Sequence, residues 1–136
     1  MAKSAIYLVN NSQATITDGS VIPLGTIIRR YGQHIRQDGN SITACDKPGC
    51  PGYYKVDVVA SIEPTATAPY KVILEKDGVA VIGGVAEINP APTTVVLPFP
   101  ISVIVKNACG GTANLSLRLE GGDATAINIT TAVEKL

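Results

Sequence analysis

A single histidine, His34, three cysteines and a scatter of carboxylates are the side chains of this 136-residue chain best suited to chemistry. One imidazole does not assemble a Ser-His-Asp arrangement or a zinc site of several histidines. His34 lies in Arg29-Arg30-Tyr31-Gly32-Gln33-His34-Ile35-Arg36. Such a cationic run can hold a carboxylate or phosphate, but more often it is a solvated strand face or a partner in intersubunit ion pairs. The reading here is structural.

Cys45-Asp46-Lys47-Pro48-Gly49-Cys50 spaces two thiols across a Pro-Gly turn. That separation suits a small disulfide loop, half of a cysteine-rich metal site, or a turn carrying two thiols. Cys109 is the remaining cysteine, so a four-ligand metal site would borrow from His34, a carboxylate or a neighbouring chain. The thiol-bearing turn is the favoured reading, and none of the three implies catalysis. Asp57, Glu63, Glu75, Glu87 and Glu120 show no Asp-x-Asp or Glu-x-x-His clustering for a general-acid pair or a calcium loop. Gly83-Gly84 and Gly110-Gly111 lack the strand-to-helix context of a phosphate loop and read as turns between strands. The sequence therefore assigns no catalytic residue, metal or cofactor.

The elements that would position these groups are strands. Period-2 alternation dominates, and no window carries a 3.6-residue stripe. Tyr54, Val56, Val58, Ala60 and Ile62 share one face of a predicted strand, with Lys55, Asp57, Val59 and Ser61 on the other. Tyr70, Val72 and Leu74 alternate with Lys71, Ile73 and Glu75. Asp77-Gly78 then supplies a type I′ turn before Val79-Ala80-Val81-Ile82 returns. Leu115, Leu117 and Leu119, the Gly121-Gly122-Asp123 turn, and Ile127, Ile129, Thr131 and Val133 predict a second hairpin. Further strands are expected at residues 5–9, 14–17, 26–31, around Ile42 and over 93–106. Pro98 and Pro100 put the last of these on an edge or at a corner between sheets, the corner being favoured, with a new strand over 101–106. Several short strands over one domain length define an all-β sandwich or jelly roll, residues 1–136 forming a single domain.

Composition narrows the function classes. Hydrophobic residues make up 46% and charged residues 16% of the chain, which excludes the disordered class. The formal net charge of zero removes the counterion-release drive of nucleic-acid binding, so no nucleic-acid partner is expected. No export signal precedes residue 5, and the apolar run 94–105 is too short to span a bilayer, so membrane insertion is not expected. Reduced cysteines are the expectation for a chain made in a cytosol. Val59 and Ile73 add apolar groups opposite the faces assigned to the core, and Ile101, Val103 and Val105 compete with Ile104 for burial, local over-packing being the plainer reading. Two-sided strands call for a further buried layer, which a homotrimer with a threefold seam would supply. Tyr7, Tyr54, Tyr70, Phe99 and Val103 are the candidates for that seam or for the core.

The order of motifs carries a resemblance. Ile22-Pro23-Leu24-Gly25, Ile27-Ile28-Arg29-Arg30-Tyr31-Gly32, Asp38-Gly39-Asn40-Ser41-Ile42 and Pro51-Gly52-Tyr53-Tyr54-Lys55-Val56 follow one another as in a short TNF/C1q-like jelly roll. Gly52-Tyr53-Tyr54 resembles the strand opening of the C1q type, and Val72-x-Leu74-x-Lys76-Asp77-Gly78 the hairpin that follows it. The size, the Arg-Arg-Tyr-Gly segment and the Val133-Glu134-Lys135-Leu136 ending are similar to small structural proteins of tailed bacteriophages and prophages. The chain lacks the aromatic-rich final strands of vertebrate members, which speaks against receptor signalling. The resemblance implies a noncatalytic homotrimer on a virion, made in the bacterial host cytoplasm, as a capsid decoration or head-fibre module bound to a phage capsid. The alternative is a trimeric tail-fibre tip or a module for host-surface carbohydrate. An enzyme of the cupin type would need clustered histidines, which one His34 does not provide.

Overall fold

The structure is a computed structural model that describes residues 4–45, 52–107 and 111–136, Cys45 by its backbone alone. The strands are β1 (Ala5–Asn10), β2 (Ala14–Ile16), β3 (Thr26–Tyr31), β4 (Ile35–Asp38), β5 (Ser41–Cys45), β6 (Gly52–Pro64), β7 (Ala68–Lys76), β8 (Val79–Ala91), β9 (Leu97–Asn107), β10 (Thr112–Glu120) and β11 (Ala124–Lys135). No helix occurs among the described residues.

Two antiparallel sheets face each other. Sheet A runs in the order β3-β1-β11-β6-β9, with β2 added on β11 beyond the end of β1; sheet B runs β4-β5-β10-β7-β8. From β5 onward the chain switches sheets at almost every connection, the connectivity of a jelly-roll sandwich. The alternation in β6 sets the inner layer. Tyr54, Val56, Val58, Ala60 and Ile62 are all buried, while Lys55, Asp57 and Val59 face outward. Tyr70, Val72 and Leu74 of β7 and Leu115, Leu117 and Leu119 of β10 meet them from sheet B within one hydrophobic core.

The Asp77-Gly78 turn closes as expected. Lys76 pairs with Val79, and Asp77 and Gly78 have φ of 52° and 82°, the left-handed pair that matches the twist of a two-residue hairpin. Four other expectations are corrected. β10 and β11 do not pair with each other: β10 lies between β5 and β7, and β11 between β1 and β6. Both strands carry an inward apolar row, and their long-range partners, β5 and β7 for β10 and β1 and β6 for β11, place those rows on opposite sheets. Folding them into facing sheets buries both rows. Gly121 turns the chain there at φ 115°, where a Cβ would overlap the Pro69 carbonyl. Ile127 also leaves the expected row. The register shifts between Ala126 and Asn128, so the inward row runs Ala124, Ala126 and then Ile129, Thr131, Val133.

Gly83-Gly84 is no turn. β8 continues through it to Ala91, with Gly83 at φ 82° where the β7–β8 register slips. Gly110 lies outside the described residues. Pro98 and Pro100 take the edge option rather than the corner. β9 is one continuous strand at the margin of sheet A, where a missing N–H costs no ladder bond on its outer side. Its inner row is Phe99, Ile101, Val103 and Val105, leaving Ile104 62% exposed.

Candidate interaction surface

Register alone specifies the outer face of sheet A. Arg29, Tyr7, Ala132, Asp57 and Ser102 form one cross-strand row, because Tyr7 pairs with both Arg29 and Ala132, and Asp57 with Ala132 and Ser102. On one side lies the row Tyr31, Ala5, Glu134, Lys55 and Ile104; on the other lies Val9, Thr130, Val59 and Pro100. Side chains in such rows are close enough to act as one surface. The result is a graded face, apolar around Val59 and Pro100 and charged toward Tyr31 and Lys55.

Two shallow depressions meet at Tyr7. One, of about 250 Å³, is bordered by Tyr7, Val59, Pro100, Ser102, Thr130 and Ala132. The other, of about 230 Å³, is bordered by Tyr7, Arg29, Tyr31, Lys55, Asp57 and Glu134. The charges on this face are partly held. The Ser102 hydroxyl donates to Asp57 Oδ1 at 2.6 Å, and Lys55 Nζ sits 3.8 Å from Asp57 Oδ2. Tyr7, Val59, Tyr53 and Tyr31 remain 38%, 39%, 47% and 55% exposed. For a sheet face in water this is an unusual concentration of large apolar groups.

A second apolar feature lies beside it, where the edge strands β8 and β9 of the two sheets meet. Val79, Ile82 and Ile104 flank a cleft of about 480 Å³ between Lys76, Asp77 and Lys106. Ile82 is 99% exposed. The sequence reading missed this edge, because Val79-Ala80-Val81-Ile82 reads as an ordinary half-buried return strand. Only the Gly83 bulge and the edge position leave Ile82 outside the core.

The five seam-or-core candidates divide between these environments. Tyr54, Tyr70 and Phe99 are buried between the sheets, and Val103 packs partly buried against the core. Tyr7 alone among them lies on the outer face of sheet A. Tyr70 also ties down the β10–β11 crossing, its hydroxyl donating to the Asp123 carbonyl at 2.6 Å. His34 is buried in the β3–β4 connection, where its backbone N–H donates to Ser4 Oγ at 3.0 Å. The cationic run around it is split: Arg29 faces the sheet A row, and Arg30 Nε donates to the Ile35 carbonyl at 2.8 Å. Cys50 and Cys109 lie outside the described residues, as does the Cys45 side chain, so the Cys45–Cys50 pairing is not described by the structure. Among the described residues no group of three or more His, Cys, Asp or Glu side chains is placed to hold a metal ion, and no helix is long and apolar enough to cross a membrane.

No family model and no curated protein sequence matches the chain. Solved structures do match its shape. Murine APRIL at pH 5.0 superposes with a TM-score of 0.73 at 10% identity, covering 98% of this chain and 99% of that one. The globular domain of zebrafish complement 1qA protein gives a TM-score of 0.60 at 12% identity over 97% and 94%. PRD1 vertex protein P5 gives 0.58 at 15% identity over 95% of each chain. The fold is therefore the TNF/C1q-like jelly roll.

Proposed function

We propose that this chain is a noncatalytic virion structural protein of a tailed phage or prophage. In this reading it works as a homotrimer that decorates the capsid or forms a head-fibre module, and it is made in the bacterial host cytoplasm. The observation that carries the reading is the half-apolar outer face of sheet A, which has no covering layer among the described residues. A second copy supplies that layer when an exposed apolar patch of its own seats on the Tyr7–Val59 region. Such a contact joins different patches and closes into a ring of three by rotation. Burying each large apolar side chain contributes about 1.5–3 kcal/mol, more than the roughly 0–1 kcal/mol of an exposed ion pair. The virion assignment draws on the motif order of the sequence and on the likeness to a vertex protein.

The first test is mass by light scattering behind a sizing column at high and low concentration. A stable three-chain mass is expected, followed by co-sedimentation with capsids of the parent phage; a clean monomer at both concentrations overturns the trimer.

One observation favours a second reading, a tail-fibre tip or host-surface module. Tyr7 and Tyr31 stand exposed near Arg29, Asp57 and Glu134, an arrangement of stacking faces and hydrogen-bonding groups that suits a glycan. The same face cannot serve both roles. Glycan-array binding that Tyr31→Ala abolishes in a monomeric protein would select this reading over the seam.

A further inference from the structure

The zero net charge of the chain conceals a separation of charge along the strand axis. At the end where β6 begins and β9 finishes lie Arg30, Arg36, Lys76, Lys106 and Lys135, interleaved with Asp77 and Glu134. At the opposite end, around the β6–β7 and β10–β11 connections, lie Asp18, Glu63, Glu87, Glu120 and Asp123, with Lys71 and Arg118 as cations among them. The two ends use their charges differently. Three of the acidic groups are engaged, Asp18 and Asp123 in holding loops together and Glu87 in a cross-strand pair. Asp123 Oδ1 accepts the Asp18 N–H at 2.8 Å, Asp18 Oδ1 accepts the Gly121 N–H at 3.0 Å, and Glu87 pairs with Lys71 at 3.5 Å.

At the basic end three of the cations meet carbonyls and a ring instead, while Lys55, in register with Glu134, meets Asp57. Arg30 reaches the Ile35 carbonyl, Lys76 Nζ donates to the Lys106 carbonyl at 2.6 Å, and Lys106 Nζ lies 6.0 Å from the Tyr53 ring centroid. None of these three cations meets a carboxylate among the described residues. Asp77 is itself engaged, accepting the Asn114 N–H at 2.9 Å.

We propose that this basic end is the docking end of the molecule and that it seats on an acidic protein surface. The proposal names the partner chemistry of the decoration reading and rests on that reading. A protein partner fits better than a phosphate backbone or an anionic bilayer. Those are uniformly negative and would meet Asp77 and Glu134 as repulsions, whereas a protein surface can answer them with its own cations. A trimer repeats the same end three times around its axis, so weak contacts add through multivalency. Interleaved charge of this kind fixes orientation and speeds encounter more than it adds affinity.

The test compares three immobilised probes: a glutamate-rich glutamate–lysine copolypeptide, vesicles containing phosphatidylserine, and duplex DNA. Binding of the full chain is measured at about 20 mM and about 150 mM salt, which differ about threefold in screening length. Strongest retention on the copolypeptide is expected, weakened at the higher salt. Arg30→Glu/Lys76→Glu/Lys106→Glu should lower it roughly tenfold, since three charges are reversed at a few tenths to 1 kcal/mol each. The control Lys71→Glu, at the other end, should change it by less than about twofold. Tighter binding to DNA or vesicles, equal losses in variant and control, or no retention at the lower salt overturns the proposal. Light scattering on the same samples separates this outcome from failure of the trimer. A triple variant that keeps the wild-type mass yet loses retention supports the docking end, and one that keeps both overturns it.

Discussion

The outer faces of the two sheets are built by the same alternation and reach opposite results. On sheet B the outward row pairs its charges: Arg118 Nε lies 3.0 Å from Glu75 Oε1, and Lys71 pairs with Glu87. Of the apolar residues on that face, Ile73 is only 8% exposed, flanked in register by Arg118 and Val85, while Val85 on the edge strand is 48% exposed. On sheet A the outward row offers Tyr7, Val59, Pro100 and Ile104 with little to cover them. The difference teaches that alternation identifies a solvent-facing row, while the chemistry of that row shows whether water is its final environment. Among the described residues, sheet B pairs its central outward charges and confines its exposed apolar groups to the edge strand β8, whereas sheet A exposes them across its face.

The largest expected effect lies in the layer the two faces share. Tyr54 is 1% exposed between the sheets, so Tyr54→Ala should cost about 3–5 kcal/mol, read as a drop in denaturant midpoint. A change within error would mean that the inner and outer rows of β6 are exchanged, and the comparison of faces would collapse with them.

Next in size is a charge placed on each outer face. If the proposed trimer closes on the outer face of sheet A, Val59→Asp should dissociate it into single chains, because an unpaired carboxylate in a closed seam costs several kcal/mol. The separated chain should keep its fold to within about 0.5 kcal/mol, since Val59 points away from the core. The matching change on sheet B, Val85→Asp, should leave the mass at three chains. If both variants dissociate, or neither does, the two faces are equivalent and the seam is elsewhere.

Arg118→Ala probes the charge pairing of sheet B. The guanidinium holds Glu75, itself mostly buried, and also donates to the Gly19 carbonyl, fastening the 17–22 segment along β10. Its loss should cost about 1–2 kcal/mol, because a carboxylate with little solvent is left without its cation. Urea unfolding of Arg118→Ala beside Glu75→Ala/Arg118→Ala tests the cause: the double variant should recover part of the loss.

Much of this contrast was legible in the residues. The inward row of β6, the Asp77-Gly78 hairpin and the two-sided character of Val59 and Ile104 follow from side-chain type and a period of two. The β10–β11 partition did not, because a glycine-rich turn between two alternating strands reads alike whether they pair or fold into facing sheets. That choice is made by long-range partners, β7 on one side and β6 on the other. The parity change at Ile127 is equally silent locally, as a bulge adds a residue without a compositional mark. The charged ends were hidden for a related reason: net charge is a sum over the chain, and only the register shows where each charge falls.

The smallest expected effect separates two adjacent threonines of β11. Thr130 points outward beside Val59, and Thr131 points inward, 2% exposed, with its Oγ1 lacking a hydrogen-bond partner. A buried hydroxyl without a partner carries a desolvation cost and returns nothing for it, and valine has nearly the same shape. Thr131→Val should therefore stabilise the chain by about 1 kcal/mol, seen as a rise in melting temperature whether the protein is one chain or three. Thr130→Val leaves a single chain within about 0.5 kcal/mol of wild type, but tightens the trimer if the apolar rows of sheet A close against a neighbour. A gain at position 131 that depended on protein concentration would place that hydroxyl at the seam instead of in the core, and the inner and outer rows of sheet A would have to be reassigned.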